Sequence, residues 1–555
     1  MNRPASGPAL PLETRKDLGA YYTHPDVVRF LVGWGTDPAT RSVMDPSCGD
    51  GRFLAAAGLL PNVRLVGCDV SDLALETTRT ALTTVGASAE LIRSDFFEVE
   101  PSAVEPVDLV VGNPPFIRYQ RFTGRSRTKA LESALRLGVR LTRLTSSWAP
   151  FVLHSMRFLR AGGCLAMVVP AEITQTQYGL RTLRAVLESF QSVRLLAFEK
   201  NFFEDAQVDT CLLMATGLGG ESRHVQLVPI SSIEHLRQHD AGFSEDDGVL
   251  VPLEPEAMSR FAEAYLPSEE RQVWERIRGR RDVRSIASLA RVTNGYVTGD
   301  NEFFHRTRAQ AADLGFPTSW LWPTVRSSRS LRGLVWSRHD LESLEEQGIA
   351  HHLMGPEDDL FMATDRPALV RWLEEGESRG TPRRFKCRRR QPWWRVPGVQ
   401  RADVLVGYMA GAYPRAAVNE AGAAYSNSLH GLRMRDGESP LKTALAFYSS
   451  LSLLSLEIEG RSYGGGILKL EPRELDRVLL PWPEVRTADL EELATKVDAS
   501  LRQRRYADAV ERVDEMFLGG EMGLSEDCIT RLRSARERLL GRRTGRSHRN
   551  RKRQS

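Results

Sequence analysis

The sequence predicts an α/β fold built on a mainly parallel, Rossmann-like sheet, followed by an α+β domain and C-terminal helices. Three observations carry this. Over the first 216 residues, short Val/Leu/Ile-rich runs alternate with helical spacings. That is the pattern of strands buried on both faces with helices between them. Four successive runs end at Asp45, Asp69, Asp95 and Asn113. From about Arg271 the pattern changes to strand-like pieces, paired tryptophans and Gly-rich turns.

The expected strands are 63–70, 89–97, 107–116, 163–170, 193–199 and 210–216, with a weaker one ending at Asp45. Helices are expected near 25–33, 52–60, 71–85, 149–160 and 172–190. Residues 1–220 thus form the first domain. Residues 221–270, acidic in part, read as a connection with a helix near 255–265, and 271–482 as the second domain. Within 483–540, Leu490, Leu493, Val497, Leu501, Val510, Val513 and Phe517 recur at helical spacing, which predicts a packing helix or helix pair. The tail 541–555, GRRTGRSHRNRKRQS, has almost no apolar residues and is expected to be disordered.

Composition narrows the classes. The 555 residues are 41% hydrophobic and 26% charged, enough for full-sized cores and unlike a disordered chain. No apolar run reaches the roughly 18 residues of a membrane span, and MNRPASGPALPLETRK lacks a signal-peptide apolar region. The six cysteines form no C-x-x-C pair, so no metal site is expected. A cytoplasmic, monomeric protein is the plain reading. The net charge of +4 is uneven: residues 531–555 carry 11 basic side chains and one acid, leaving −6 for the rest. Only local patches can therefore argue for nucleic acid.

Asp45-Pro46-Ser47-Cys48-Gly49-Asp50-Gly51 closes a strand and opens a helix. Glycines there allow a tight turn and close approach of a ligand. Asp69, 18 residues after Gly51, ends the next strand and can accept from both hydroxyls of a ribose. Asp95 can accept from an adenine amino group, and Phe96 offers a stacking face. The loop lacks G-x-x-x-x-G-K-[ST], so it suits a nucleoside without a polyphosphate, which points to S-adenosyl-L-methionine.

Asn113-Pro114-Pro115-Phe116 follows the fourth of these runs. Two prolines stiffen the loop and remove two donors. The Asn113 side-chain oxygen and the Pro114 carbonyl can both accept from one planar NH₂ group. Two fixed acceptors favour the rehybridised amine as it attacks a sulfonium methyl, which is stabilisation of the transition state by preorganised groups. Phe116 can stack on the base.

This order resembles the adenine-N6 DNA methyltransferases, in particular the TaqI-type enzymes and their Eco57I-like relatives. The resemblance covers 19–216. It implies cofactor contacts from Tyr22 and Thr23, from Asp45, Pro46, Ser47, Cys48, Gly49 and Gly51, and from Asp69, Val70, Asp95 and Phe96. It assigns catalysis to Asn113, Pro114, Pro115 and Phe116. His24 stands where the family more often has proline. In FFEDAQVDTCLLM, Phe203, with Phe202 second, is expected on the far face of an extruded base.

A base must leave the duplex to reach such a loop, and something must grip the flanking DNA. Arg291–Gly295, Gly299–Asn301 with Phe303-Phe304, 321–328 and Tyr463–Gly466 resemble the family's recognition domain. Residues 381–395 carry seven Arg/Lys and no acid. DNA contacts are expected from Arg383, Arg384, Lys386, Arg388, Arg389 and Arg390, with Trp393 and Trp394 beside them. The resemblance implies double-stranded DNA as partner, with a separately encoded restriction endonuclease. N4 of cytosine, a protein glutamine or RNA as substrate, and an inactive DNA-specificity protein, remain alternatives.

Overall fold

The computed structural model describes residues 23–198, 210–230, 232–238, 243–244, 247–253, 257–355, 366–463 and 466–552. The chain divides into two compact units, Met1–Tyr265 and Leu266–Ser555.

In the first unit the described residues form one nine-stranded sheet. Its strands are β1 Ser42–Asp45, β2 Arg64–Asp69, β3 Glu90–Arg93, β4 Val107–Gly112, β5 Leu159–Pro170, β6 Phe190–Phe198, β7 Thr210–Leu218, β8 His224–Ile230 and β9 Val249–Pro252. Their order is β3-β2-β1-β4-β5-β7-β6-β8-β9. Strands β3 to β5 pair in parallel. β7 runs antiparallel between β5 and β6. The Rossmann-like class expected from sequence is thus observed, with a mixed edge.

Helices α1 Pro25–Gly35, α2 Arg52–Ala57, α3 Asp72–Thr84, α4 Gly124–Arg136, α5 Trp148–Met156 and α6 Gln177–Leu187 flank this sheet in sequence. The near-continuous apolar runs are explained by burial on both faces: Met44, Val66 and Val110 belong to one core cluster, Val43, Leu65 and Leu109 to the other. Helix α4 escaped sequence reading because its buried stripe is only Ala130, Ser133 and Ala134.

Two expectations are corrected here. Residues 221–270 are not simply a connection, because β8 pairs with β6 and β9 with β8. Their apolar residues Val225, Leu227, Val228, Ile230 and Val251 are buried. The described part of the basic tail, 541–552, is helical rather than disordered, within a helix that runs Glu526–Lys552.

The second unit holds small sheets instead of one large one. A four-stranded antiparallel sheet joins Ala290–Asn294, Leu429–Met434, Val404–Gly407 and Ala416–Val418. A second sheet joins His305–Arg306, His352–Met354, Leu321–Val325 and Ala424–Tyr425. The helices Thr487–Arg502 and Tyr506–Val513 bury the leucines and valines expected from their spacing. Those side chains share one core with Leu445, Phe447 and Leu456, so residues 483–540 do not form a core of their own.

Candidate active site

Four strand ends meet at the carboxyl edge of the sheet. β1 lies between β2 and β4, so the chain order reverses there. Ligands of open α/β sheets bind in the crevice beyond such a switch point. The register pairs Met44 with Val110, which sets Asp45 beside the end of β4. A Cβ on Gly112 would lie 2.6 Å from Asp45 Oδ1, so the residue before Asn113 must be the smallest one.

The cofactor loop is closed by its own backbone. Gly51 N donates to Cys48 O at 2.8 Å, and Cys48 N to Cys68 O at 2.9 Å. Gly49 and Gly51 have φ of +53° and +77°, the left-handed region that glycine enters without a Cβ penalty. Asp69 Oδ2 accepts from Gly49 N and its Oδ1 from Ser71 N, each at 3.0 Å. A carboxylate offers about four lone-pair sites, so these two bonds do not exhaust its acceptor capacity. Burial raises the Asp69 pKa, opposed by those amides. Asp45 is 1% exposed, and burial, followed by the Asp69 and Asp50 charges, pushes its carboxyl up to about 8. Its Oδ1 accepts from Ser47 N at 3.0 Å. Cys48 is buried with Sγ 3.6 Å from Thr78 Oγ1, and burial raises its thiol pKa.

The Asn113–Phe116 loop is tethered from three sides. Asn113 Nδ2 donates to Thr23 Oγ1 at 3.1 Å, and Ser47 Oγ donates to Asn113 O at 3.2 Å. Ser147, buried at the start of α5, accepts from Ile117 N at 2.9 Å and donates to Pro115 O. Thr23 is held in turn, its carbonyl accepting from Arg52, which pairs with Asp50. Sequence reading missed Ser147 and Arg52. The only signal for Ser147 was a hydroxyl residue just ahead of the apolar helix WAPFVL. Phe116 is half-buried between the two core clusters.

Asp95 caps the short helix Phe96–Glu98, accepting from Phe97 N at 3.0 Å. Phe96 departs from expectation. Its ring is 3% exposed and packs with Phe151, His154 and Phe158 at centroid distances of 4.8, 4.6 and 5.1 Å. It serves the core rather than offering an open stacking face. Val70, beside Asp69, is exposed. Tyr22, Phe202 and Phe203 lie outside the described residues.

This edge offers an acid for a ribose beside a braced loop of acceptors, and comparison with known proteins gives the same direction. Residues 10–283 match the family model N-6 DNA Methylase. Residues 258–518 match the C-terminal domain of the Type II methyltransferase M.Eco57I. Residues 10–283 are thus similar to the N-6 DNA methylases. Type II methyltransferase M.XamI of Xanthomonas campestris pv. amaranthicola is 25% identical over 472 residues, 83% of this chain and 85% of the relative. M.AccI of Acinetobacter calcoaceticus is 20% identical over 482 residues, 85% and 87% of the two chains. M.TthHB8I of Thermus thermophilus is 31% identical over 170 residues, 29% of this chain and 36% of its own. The protein is therefore a DNA methyltransferase of the restriction–modification type, and S-adenosyl-L-methionine is its cofactor. The open lone pairs of Asp69 and the glycine turn fit that group's nucleoside.

In the second unit of this methylase the basic segment divides. Arg390 donates to Thr298 O at 2.8 Å and to Val297 O. Arg384 pairs with buried Asp300 at 3.1 Å. Trp393 packs 5.6 Å from Phe303, and Trp394 lies 6.5 Å from Trp372. Arg390, Trp393 and Trp394 are part-buried in these contacts, whereas Arg384 stays exposed beside its partner. Arg383, Lys386, Arg388 and Arg389 are exposed. So is Phe385, 52% exposed, with the Arg389 guanidinium 4.2 Å from its ring centre and Arg388 and Lys386 within 6 Å. Sequence reading passed over Phe385.

Proposed function

We propose that this methylase transfers a methyl group from S-adenosyl-L-methionine to N6 of an adenine extruded from double-stranded DNA. It would act as a monomeric, cytoplasmic modification enzyme, with a separately encoded endonuclease. The observation that carries this is the bracing of Asn113 by Thr23 and Ser47 next to the strand ends that hold Asp45 and Asp69. The bound cofactor supplies an electrophilic sulfonium methyl.

The chain's own part is positioning. Asp69 accepts from the ribose, Asp95 from the adenine of the cofactor, and the loop around Pro46, Ser47 and Cys48 lies along it, with Tyr22 assigned by the resemblance. The amide of Asn113 is anchored through Nδ2, which sets Oδ1 as the acceptor edge. With the Pro114 carbonyl it accepts from the target amine. Acceptors fixed before reaction cost no reorganisation during it. Phe116 stacks on the target ring, and Phe203 takes its far face. Residues 271–482 select the site, and Arg383, Lys386, Arg388, Arg389 and Phe385 hold the duplex.

Expression in a methylation-free host, with modified bases mapped by single-molecule sequencing, tests this. N6-methyladenine is expected in one short motif, and none with Asn113→Ala. Modified cytosine would replace adenine by cytosine N4, and unmodified DNA would return protein or RNA as substrate.

A further inference from the structure

Two buried histidines and a part-buried glutamate of the second unit turn unsatisfied polar atoms toward one point. Glu345 lies at the end of the helix Arg338–Glu346; His351 and His352 enter the strand His352–Met354. The histidines are 1% and 2% exposed. Glu345 Oε2, His351 Nε2 and His352 Nδ1 are buried and make no hydrogen bond. The ligand atoms of the three residues lie within 4.8 Å of one another, the His351 and His352 nitrogens 3.2 and 3.7 Å from Glu345 Oε2.

Tautomers sharpen the point. His351 Nδ1 lies 2.7 Å from Ile349 O, so that nitrogen carries the proton. In the neutral ring Nε2 then presents a lone pair to a carboxylate oxygen. Two acceptors at that distance need a proton or a metal ion between them. A backbone carbonyl orienting one ring nitrogen while the other faces inward is the usual support of a metal-ligating histidine. Glu345 is anchored as well, its Oε1 accepting from Arg308 N at 2.8 Å.

We infer that Glu345, His351 and His352 form a site for one divalent cation of the zinc class, with water completing a tetrahedron. Imidazole and carboxylate suit such an ion. A single proton could bridge only one nitrogen to the carboxylate, whereas an ion satisfies all three atoms. Arg308 Nε lies 3.5 Å from His352 Nε2, at the outer limit of a hydrogen bond. Ligation through Nδ1 puts the ring proton on Nε2 and gives up this long contact to an exposed arginine. The ion would pin the end of the helix to the strand, a structural role independent of methyl transfer.

The test uses the full-length protein, stripped with a chelator and titrated with zinc against a chromophoric competitor. One zinc per chain is expected, bound at least about tenfold more weakly in Glu345→Gln and His351→Asn. X-ray absorption at the zinc edge of the parent should show two imidazoles, a readout that survives even if a variant fails to fold. Absence of stoichiometric uptake by the folded parent, uptake unchanged in both variants, or a spectrum without two imidazoles overturns the site.

Discussion

Asn113 Nδ2 donates to the Thr23 hydroxyl at 3.1 Å, although 90 residues separate them in the chain. The donor side of the amide is thereby occupied, and its oxygen is set as acceptor. Thr23→Val keeps the shape but removes the acceptor for Nδ2, so the amide loses this restraint. One unit in log rate corresponds to about 1.4 kcal/mol, the size of one such hydrogen bond. Single-turnover methyl transfer should fall about tenfold with cofactor affinity little changed, and Thr23→Ser should restore it. Equal loss in the serine variant would show that packing, not the hydroxyl, matters.

The two glycines of the cofactor loop should respond differently. A Cβ on Gly51 would meet Thr78 Cα at 2.8 Å, and Thr78 belongs to α3. On Gly49 the nearest atom is 3.9 Å away. Gly49→Ala therefore costs the left-handed strain alone, about 1–2 kcal/mol, whereas Gly51→Ala must also displace backbone. Thermal unfolding should drop more for Gly51→Ala, and calorimetric titration should show the larger loss of cofactor binding. Equal effects would mean that the helix gives way without cost.

Much of this site was legible because strand ends carry it. Asp45, Asp69, Asp95 and Asn113 each follow an apolar run, and local pattern alone fixes that. What escaped depends on partners distant in sequence. The stacking role given to Phe96 failed because Phe151 and Phe158, brought over by α5, enclose the ring. Trp393 looked like a nucleic-acid aromatic, yet Phe303 claims it. The antiparallel insertion of β7 and the pairing of β8 with β6 are tertiary choices with no local signature.

Two buried groups of the first unit should pull stability in opposite directions with pH. Asp45 holds its proton to about pH 8 in the folded chain but only to 3.8 unfolded. Between those values the folded state binds more protons, so this contribution falls as pH rises. His154 donates Nε2–H to Phe96 O and Val99 O, and its pKa drops from 6.5 to about 4, chiefly through burial. Here the unfolded chain binds more protons, so stability falls as pH drops from 6.5 toward 4. Denaturant unfolding between pH 5 and 8.5 should show Asp45→Asn flattening the alkaline decline while the acid limb stays. An unchanged alkaline limb would mean that Asp45 titrates normally.

Phe385 and Arg389 touch the same point of the surface, 4.2 Å apart from ring centre to guanidinium, yet DNA should tell them apart. A phosphate contact releases counterions, so losing it lowers the salt slope of log K by about 0.9. Stacking on a base releases none and is worth about 1–3 kcal/mol. Arg389→Ala should therefore weaken binding and flatten the slope by about one unit. Phe385→Ala should weaken binding about 5- to 150-fold and leave the slope intact, because the cations around it stay. Arg390→Ala, whose guanidinium serves the carbonyls of 297–298, should lower thermal stability and leave the slope alone. Filter-binding across a salt series on a duplex carrying the mapped motif measures all three. A slope change from Phe385→Ala, or none from Arg389→Ala, would show that the exposed patch does not face the phosphate backbone.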